Sequence, residues 1–336
     1  MNYITNRENR KKKYVMYIKG KVSVFFILIS FLLTTTMCAQ TQQAIPEDRV
    51  VASGEDVLYY TYEWEGERLP DGRPMVADDL LERLKDIKVE DVWQLLNELG
   101  YRNQFESGWE MIHDDVPIVG RALTAQYMPR RPDIQEKLIE EGLEAGHIGA
   151  QNSWPIDMLQ EGDVYLADNF GKIAQGTMIG DKLGNSIFAR TGTGVVFDGS
   201  LRDVETLANL EGFNAFARGF HPTFLDEVML MGINVPVRIG QVTVMPGDVI
   251  LAKRMGVVFI PPHLVEQVVI TAEIVQLRDE FVHERVQQRV YTPGQVDARW
   301  TEEIEEDFLN WLEDGHMDRL PVPLDEMQDF LQQRTW

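Results

Sequence analysis

The chain has 336 residues, 44% of them hydrophobic, which suits one sizeable buried core with extensions. Acidic residues outnumber basic ones 54 to 32, for a formal net charge of −22, and no basic stripe follows the N-terminus, which argues against a nucleic-acid partner. Cys38 is the single cysteine, so the rest of the chain has neither a disulfide nor a thiol nucleophile.

Residues 1–39 have the layout of an export signal. The basic stretch NRKKKYVMYIKGK precedes the apolar run VSVFFILISFLL and then TTTMCAQ, with Ala39 near a plausible cleavage point. The run is well short of the roughly 20 residues a spanning helix needs. The expected location is therefore the periplasm or cell envelope, with membrane attachment only if Cys38 is lipidated or the signal stays uncleaved. Cleavage removes seven basic residues and one acidic residue and leaves the remainder near −28.

Residues 40–75 read as an N-terminal arm. In VLYYTYEWEGERLPDG, Val57, Tyr59, Thr61 and Glu63 alternate with Leu58, Tyr60, Tyr62 and Trp64, which predicts an added edge strand or a clamp on a neighbouring subunit; an arm packed on its own domain is the other reading. KVEDVWQLLNELGYR predicts a helix with Val89, Val92, Leu95, Leu96 and Leu99 on one face and Gly100 as its stop. IVGRALTAQYMP predicts a strand and DIQEKLIEEGLEAG a helix. EGDVYLADNF and PGDVILAKRMGVVFIPP each open a strand with Gly-Asp-Val, which predicts the same turn chemistry at two places in a sheet.

Between them, GDKLGNSIFARTGTGVVFDGSLRD (180–203) predicts a helix from Asp181, then a buried strand, and is followed by the helical VETLANLEG. That order puts Arg202 and Asp203 just past the carboxyl end of a strand, where open α/β sheets gather ligands. Arg202 offers a planar fork to a carboxylate or keto oxygen, and Asp203 offers hard oxygens to a cation such as Mg²⁺. Backbone N–H groups opening the Asp181 helix would face a bound anion. Spacing alone also allows Asp203 to be a helix N-cap and Arg202 a surface residue. FNAFARG and VPVRIGQVTVMPGDV predict further strands. After Pro262, HLVEQVVITAEIVQLRDEFVHERVQQ and TEEIEEDFLNWLED predict helices. The expected organisation is an α/β core over 76–275 and a helical extension over 276–336.

From Val89 to Val286 the chain resembles the RraA-like family, which includes 4-hydroxy-4-methyl-2-oxoglutarate aldolases and regulators of ribonuclease activity. The aldolase signature is Gly-Asp, twenty intervening residues and Arg-Asp, matched by Gly180, Asp181, Arg202 and Asp203. GTGVVFDGSLRDVETL, FARGFHP, VPVRIGQVTVMPGDVILA and GVVFIPP follow in the family's order. The resemblance implies a swivelling β/β/α domain that assembles as a homotrimer or hexamer with sites between subunits. It also implies an Mg²⁺- or Mn²⁺-dependent aldolase that releases pyruvate from a 4-hydroxy-2-oxo acid and decarboxylates oxaloacetate. By the same resemblance Arg202 binds the 2-keto oxygen, Asp203 holds the metal through waters, and Asp181 orders a metal-linked water. Gly180 and the N–H groups of Lys182 and Leu183 form the substrate-carboxylate site.

Lys253 and Arg254 stand where many relatives carry an acidic pair, either as surface drift or to favour a substrate with an extra carboxylate. Glu280 and Glu284 are candidates to reach a neighbour's metal waters, or belong to a solvated helix face. His221, in ARGFHPTF, is a loop histidine before proline or a residue bordering the site, and the six histidines show no zinc-binding spacing. A non-catalytic regulator and an exported oxo-acid binding protein are the competing functions.

Overall fold

The computed structural model describes residues 48–327; the proposed export signal and Cys38 lie outside them. The arm begins with α1 (Gly54–Tyr60), not with an edge strand. Ser53 explains the difference: its hydroxyl accepts the Asp56 N–H at 3.2 Å while the Asp56 carboxylate accepts the Ser53 N–H at 3.2 Å, a reciprocal cap that starts a helix. Within that helix only Val57 is buried, and Tyr59 and Tyr62 of the arm stay largely exposed.

Two helices follow, α2 (Asp78–Leu84) and α3 (Val89–Glu98). The predicted apolar face of α3 buries Val89, Val92, Leu95 and Leu96, and Leu99 lies exposed just beyond its end. Next come the short strands β1 (Phe105–Glu106) and β2 (Glu110–Met111), then β3 (Ile118–Pro129), α4 (Pro132–Glu144), α5 (Trp154–Met158) and β4 (Asp163–Thr177). The central part is α6 (Asp181–Thr191), β5 (Val195–Leu201), α7 (Val204–Leu207) and β6 (Ala215–Phe220). After β7 (Val228–Ile233) the chain makes two hairpins, β8 (Val237–Ile239) with β9 (Val242–Val244), and β10 (Val249–Lys253) with β11 (Gly256–Ile260). It then runs into α8 (Val265–Gln287), α9 (Pro293–Val296) and α10 (Glu302–Glu313). Helix α8 passes residue 275 without a break.

Among the described residues, nine strands form one sheet in the order β1-β11-β10-β3-β4-β5-β6-β2, with β7 pairing with β3 off this path. Strands β3, β4, β5 and β6 are parallel to one another, and the flanking strands are antiparallel. Alternate residues therefore serve two cores. Leu123, Tyr165 and Phe197 face a helical layer with residues of α5, α6 and α7, and Val119, Leu251 and Val258 on the same side of the sheet pack on α2, α3 and α8. The opposite set, including Ala122, Leu166, Val196 and Phe259, packs on Val237, Ile239, Val242 and Val244 of the β8–β9 ribbon. Ribbon, sheet and helices make the expected β/β/α layering. The tail adds its own cluster, in which Phe281 of α8 meets Phe308 and Trp311 of α10.

The two Gly-Asp-Val turns use one device. Gly162 and Gly247 adopt positive φ values of 77° and 87°, and the following aspartate accepts a backbone N–H three residues back, from Gln160 to Asp163 at 2.9 Å and from Met245 to Asp248 at 2.8 Å. Their electrostatics differ. Asp163 is fully buried against Arg73, also fully buried, at 2.7 Å, while Arg73 holds Asp71 at 2.7 Å through its Nε. Removing one partner of such a pair leaves an uncompensated buried charge. Arg73→Ala is therefore expected to lower unfolding stability by about 3–5 kcal/mol, read as a shifted urea midpoint at unchanged slope. A loss below about 1 kcal/mol would mean that Arg121, whose Nε lies 3.9 Å from Asp163, already neutralises the carboxylate.

Candidate functional site at the carboxyl end of the parallel strands

All seven residues of β5 are buried, so the chain emerges from the sheet at Arg202 with its direction already set. The Arg202 N–H donates to the Ile179 carbonyl at 3.1 Å, tying this exit to the residues just ahead of α6. Asp203 then takes a left-handed conformation, φ 59° and ψ 34°, uncommon for a residue with a side chain. Its carbonyl accepts the Thr206 and Leu207 N–H groups at 3.0 Å, so its backbone opens α7. Its side chain does not cap α7; it reaches back, and Oδ2 accepts the Asp181 N–H at 3.1 Å, capping α6. The N-cap alternative for Asp203 is thus correct for its backbone, while its carboxylate serves a different helix.

Gly180 makes this closure possible. A Cβ there would stand 2.3 Å from Asp203 Oδ2 and 2.9 Å from Arg202 Nε. Its φ of −123° is open to any residue, so the requirement is space, not backbone freedom. In the first turn of α6, Gly184 N–H returns to the Gly180 carbonyl at 2.9 Å and Asp181 N–H is taken by Asp203. Among the described residues the N–H groups of Lys182 and Leu183 have no acceptor, which leaves two donors and the positive end of the helix dipole facing outward.

Arg202 lies 3.6 Å from Asp203 Oδ2 through its Nε, and its guanidinium carbon is 4.6 Å from the centre of the Phe224 ring. Among the described residues its two terminal nitrogens have no hydrogen-bond partner. Asp181, Lys182, Leu183 and Arg202 line one cleft of about 270 Å³ together with Phe224 and Leu225. The residues read from the sequence as substrate-binding are thus brought together, with Asp203 beside them. The second oxygen of Asp203 makes no hydrogen bond among the described residues, which do not gather three His, Cys, Asp or Glu side chains into a metal cage.

His221 is not among the residues that line this cleft and acts in the loop beside it. Its N–H donates to Leu201 at 3.0 Å, and its Nδ1 pairs with Thr223 Oγ1 at 2.9 Å, an oxygen that also accepts the Gln175 N–H at 2.7 Å. It orders the turn that carries Phe224. Lys253 and Arg254 lie elsewhere: β10 runs antiparallel to β3, so they sit at the amino ends of the parallel strands, where Lys253 Nζ donates to the Ile87 carbonyl at 2.6 Å and Arg254 is 3.9 Å from Asp114. Burial lowers the Lys253 pKa. Within this chain neither reaches the Arg202 cleft. Glu280 pairs with Arg319 at 2.8 Å, and Glu284 accepts the Trp311 Nε1–H at 2.8 Å, so both fasten the tail. Each carboxyl is held below its usual pKa, Glu280 chiefly by Arg319 and Glu284 by Trp311. Phe224 and Asn152, whose amide donates to Met178 at 3.0 Å, were absent from the sequence reading; nothing in HPTF marks the phenylalanine as a partner of an arginine 22 residues earlier.

A family model described as RraA-like, Aldolase/RraA, matches residues 76–259. A protein of Ectopseudomonas mendocina named "Putative 4-hydroxy-4-methyl-2-oxoglutarate aldolase" is 32% identical over 110 residues, 32% of this chain and 66% of that protein. Protein DlpA of Legionella pneumophila is 30% identical over 166 residues, 49% of this chain and 25% of its own length. The matched part thus spans less than two thirds of either relative. Among solved structures, Streptomyces coelicolor RraAS2, described as an unusual member of the RNase ES inhibitor RraA protein family, is 26% identical with a TM-score of 0.54, covering 63% of this chain and 100% of its own. An uncharacterized protein from Pseudomonas syringae shares the fold at 23% identity and a TM-score of 0.54, over 67% of this chain and 100% of its own.

Gly180→Ala tests the packing directly. The variant is expected to keep the parent's circular dichroism while pushing the Asp203 carboxylate off the Asp181 N–H, read as faster amide hydrogen exchange at Asp181. Unchanged exchange at Asp181 in the folded variant would show that the space at Gly180 does not hold the contact.

Proposed function

The chain belongs to the RraA-like family, and from that premise we propose that it is a carbon–carbon lyase releasing pyruvate from a 4-hydroxy-2-oxo acid. The observation that carries this reading is the meeting, in one cleft, of the guanidinium end of Arg202 with the N–H groups of Lys182 and Leu183, all without hydrogen-bond partners among the described residues. These donors match a 2-oxo carboxylate: the helix end takes the carboxylate, and the Arg202 fork takes the adjacent keto oxygen.

Cleavage of the C3–C4 bond removes the 4-hydroxyl proton, turns C4 into a carbonyl and leaves the electron pair as an enolate with its charge on the C2 oxygen. Arg202 stands where that charge develops and stabilises it more than the neutral ketone. Phe224 covers one face of the guanidinium and restricts its swing. Asp181, which lines the same cleft, is assigned to order the water that receives the hydroxyl proton. Loss of CO₂ from oxaloacetate would pass through the same enolate, so decarboxylation is a companion activity.

Asp203 fits a water-rich Mg²⁺ or Mn²⁺, since its free oxygen is a hard donor and Mg²⁺ keeps several waters while taking only one or two carboxylates. When bound, the ion supplies positive charge at the keto-acid end of the substrate. The same reading takes the chain as an exported homotrimer or hexamer, acting on a small molecule in the periplasm or cell envelope. Pyruvate release separates it from a regulator or a binding protein that has kept only the pocket.

Exhaustive chelation is expected to abolish pyruvate release and added Mg²⁺ or Mn²⁺ to restore it; full activity after chelation would contradict a metal role for Asp203. With metal saturating, Arg202→Lys should lower kcat by about 10²–10³, because a mobile ammonium replaces a planar two-pronged donor. Asp203→Asn should instead raise the metal concentration needed for activity, with partial rescue by excess Mg²⁺. Near-normal kcat in folded Arg202→Lys would make Arg202 structural.

A further inference from the structure

A second cleft, of about 310 Å³, lies outside the site above and is built largely by residues outside the family-matched stretch. Tyr62, Glu63 and Trp64 come from the arm ahead of residue 76 and His263 follows residue 259, while Tyr101 and Asp248 belong to the matched part. We propose that this cleft is a binding site for a small organic cation of the quaternary-ammonium class, held by the rings of Tyr62, Trp64 and Tyr101 with Asp248 and Glu63 as counter-charges.

Three observations carry the assignment. The lining is aromatic and acidic and includes no lysine or arginine. His263 adds no cation near neutral pH, because burial lowers its pKa, and its Nε2 lies 3.2 Å from the Tyr101 hydroxyl. Asp248 differs from Asp163, its counterpart in the other Gly-Asp-Val turn: it is equally buried but lacks a cation, and among the described residues its carboxyl receives only the Met245 N–H. Burial pushes its pKa up to about 7, so the negative form lacks a partner that a bound cation would provide.

Three of the polar groups in the lining are already engaged. Gln104 donates its amide to the Phe259 carbonyl at 2.9 Å, Thr61 donates to Val57 at 2.7 Å, and the Trp64 indole N–H goes to Glu67 at 2.8 Å. The lining is rich in aromatic residues and holds two carboxylates, Glu63 and Asp248, the combination that attracts a weakly hydrated cation with no hydrogen bonds to give.

Isothermal titration calorimetry of the purified protein with tetramethylammonium chloride tests this, with equimolar sodium chloride and methyl glucoside as controls. Saturable binding of tetramethylammonium alone is expected. Tyr62→Ala and Tyr101→Ala, both at exposed rings whose loss spares the core, should each weaken it by about two- to thirtyfold. Asp248→Asn, which keeps the shape and removes the charge, should weaken it as well, and Arg202→Lys should leave it unchanged, since the cleft is independent of the lyase site. A tetramethylammonium response no larger than that of sodium chloride overturns the proposal. So does binding that the two tyrosine variants leave unchanged, or a preference for methyl glucoside.

Discussion

The candidate site rests on one contact: the Asp203 carboxylate accepting the first N–H of α6 across the bare Cα of Gly180. That hydrogen bond joins the end of β5 to the start of α6, two points separated by 22 residues in sequence, and the Arg202 N–H bond to Ile179 doubles the tie. A left-handed aspartate costs of order 1–3 kcal/mol, and a carboxylate at a helix N-terminus returns roughly 0.3–1 kcal/mol of that. The strain is therefore carried by the buried strand behind it. What the arrangement achieves is position: one carboxylate oxygen is occupied, the other is open, and an arginine is held beside the open end of a helix.

The sheet separates two kinds of charge. At the amino ends of the parallel strands, Arg73 and Arg121 are buried and paired: Arg73 binds Asp71 and Asp163, and Arg121 binds Asp78 at 2.9 Å and the Val76 carbonyl at 2.8 Å, its Nε alone lacking a hydrogen bond among the described residues. Those arginines hold the arm to the sheet. At the carboxyl ends, Arg202 is partly exposed and stacks on Phe224, as expected where an open α/β sheet receives ligands. Lys253 and Arg254 fall at the first end, which removes them from a direct role in the Arg202 cleft of the same chain.

Legibility of the sequence followed burial. IVGRALTAQYMP became β3 with its limits unchanged, and GVVFDG became the buried core of β5, because period and length leave little choice for a strand closed in on both faces. The arm misled because alternating aromatics look strand-like, whereas the Ser53–Asp56 cap, a short-range signal upstream of them, starts a helix. Strands β1 and β2, two residues each, exist only through their partners β11 and β6 and have no pattern of their own. At the site, residue types suggested a fork and a hard oxygen, and the family resemblance assigned their roles. The reach of Asp203 back to α6, the space required at Gly180 and the ring of Phe224 over Arg202 are contacts between distant segments, and no local period encodes them.

The most direct test of the central claim is a crystal structure with Mn²⁺ and oxalate, a planar mimic of the pyruvate enolate. An anomalous peak beside the free oxygen of Asp203, with oxalate spanning the Arg202 guanidinium and the N–H groups of Lys182 and Leu183, is the predicted result. Manganese bound away from Asp203, or oxalate seated elsewhere while this cleft stays open to solvent, would contradict it.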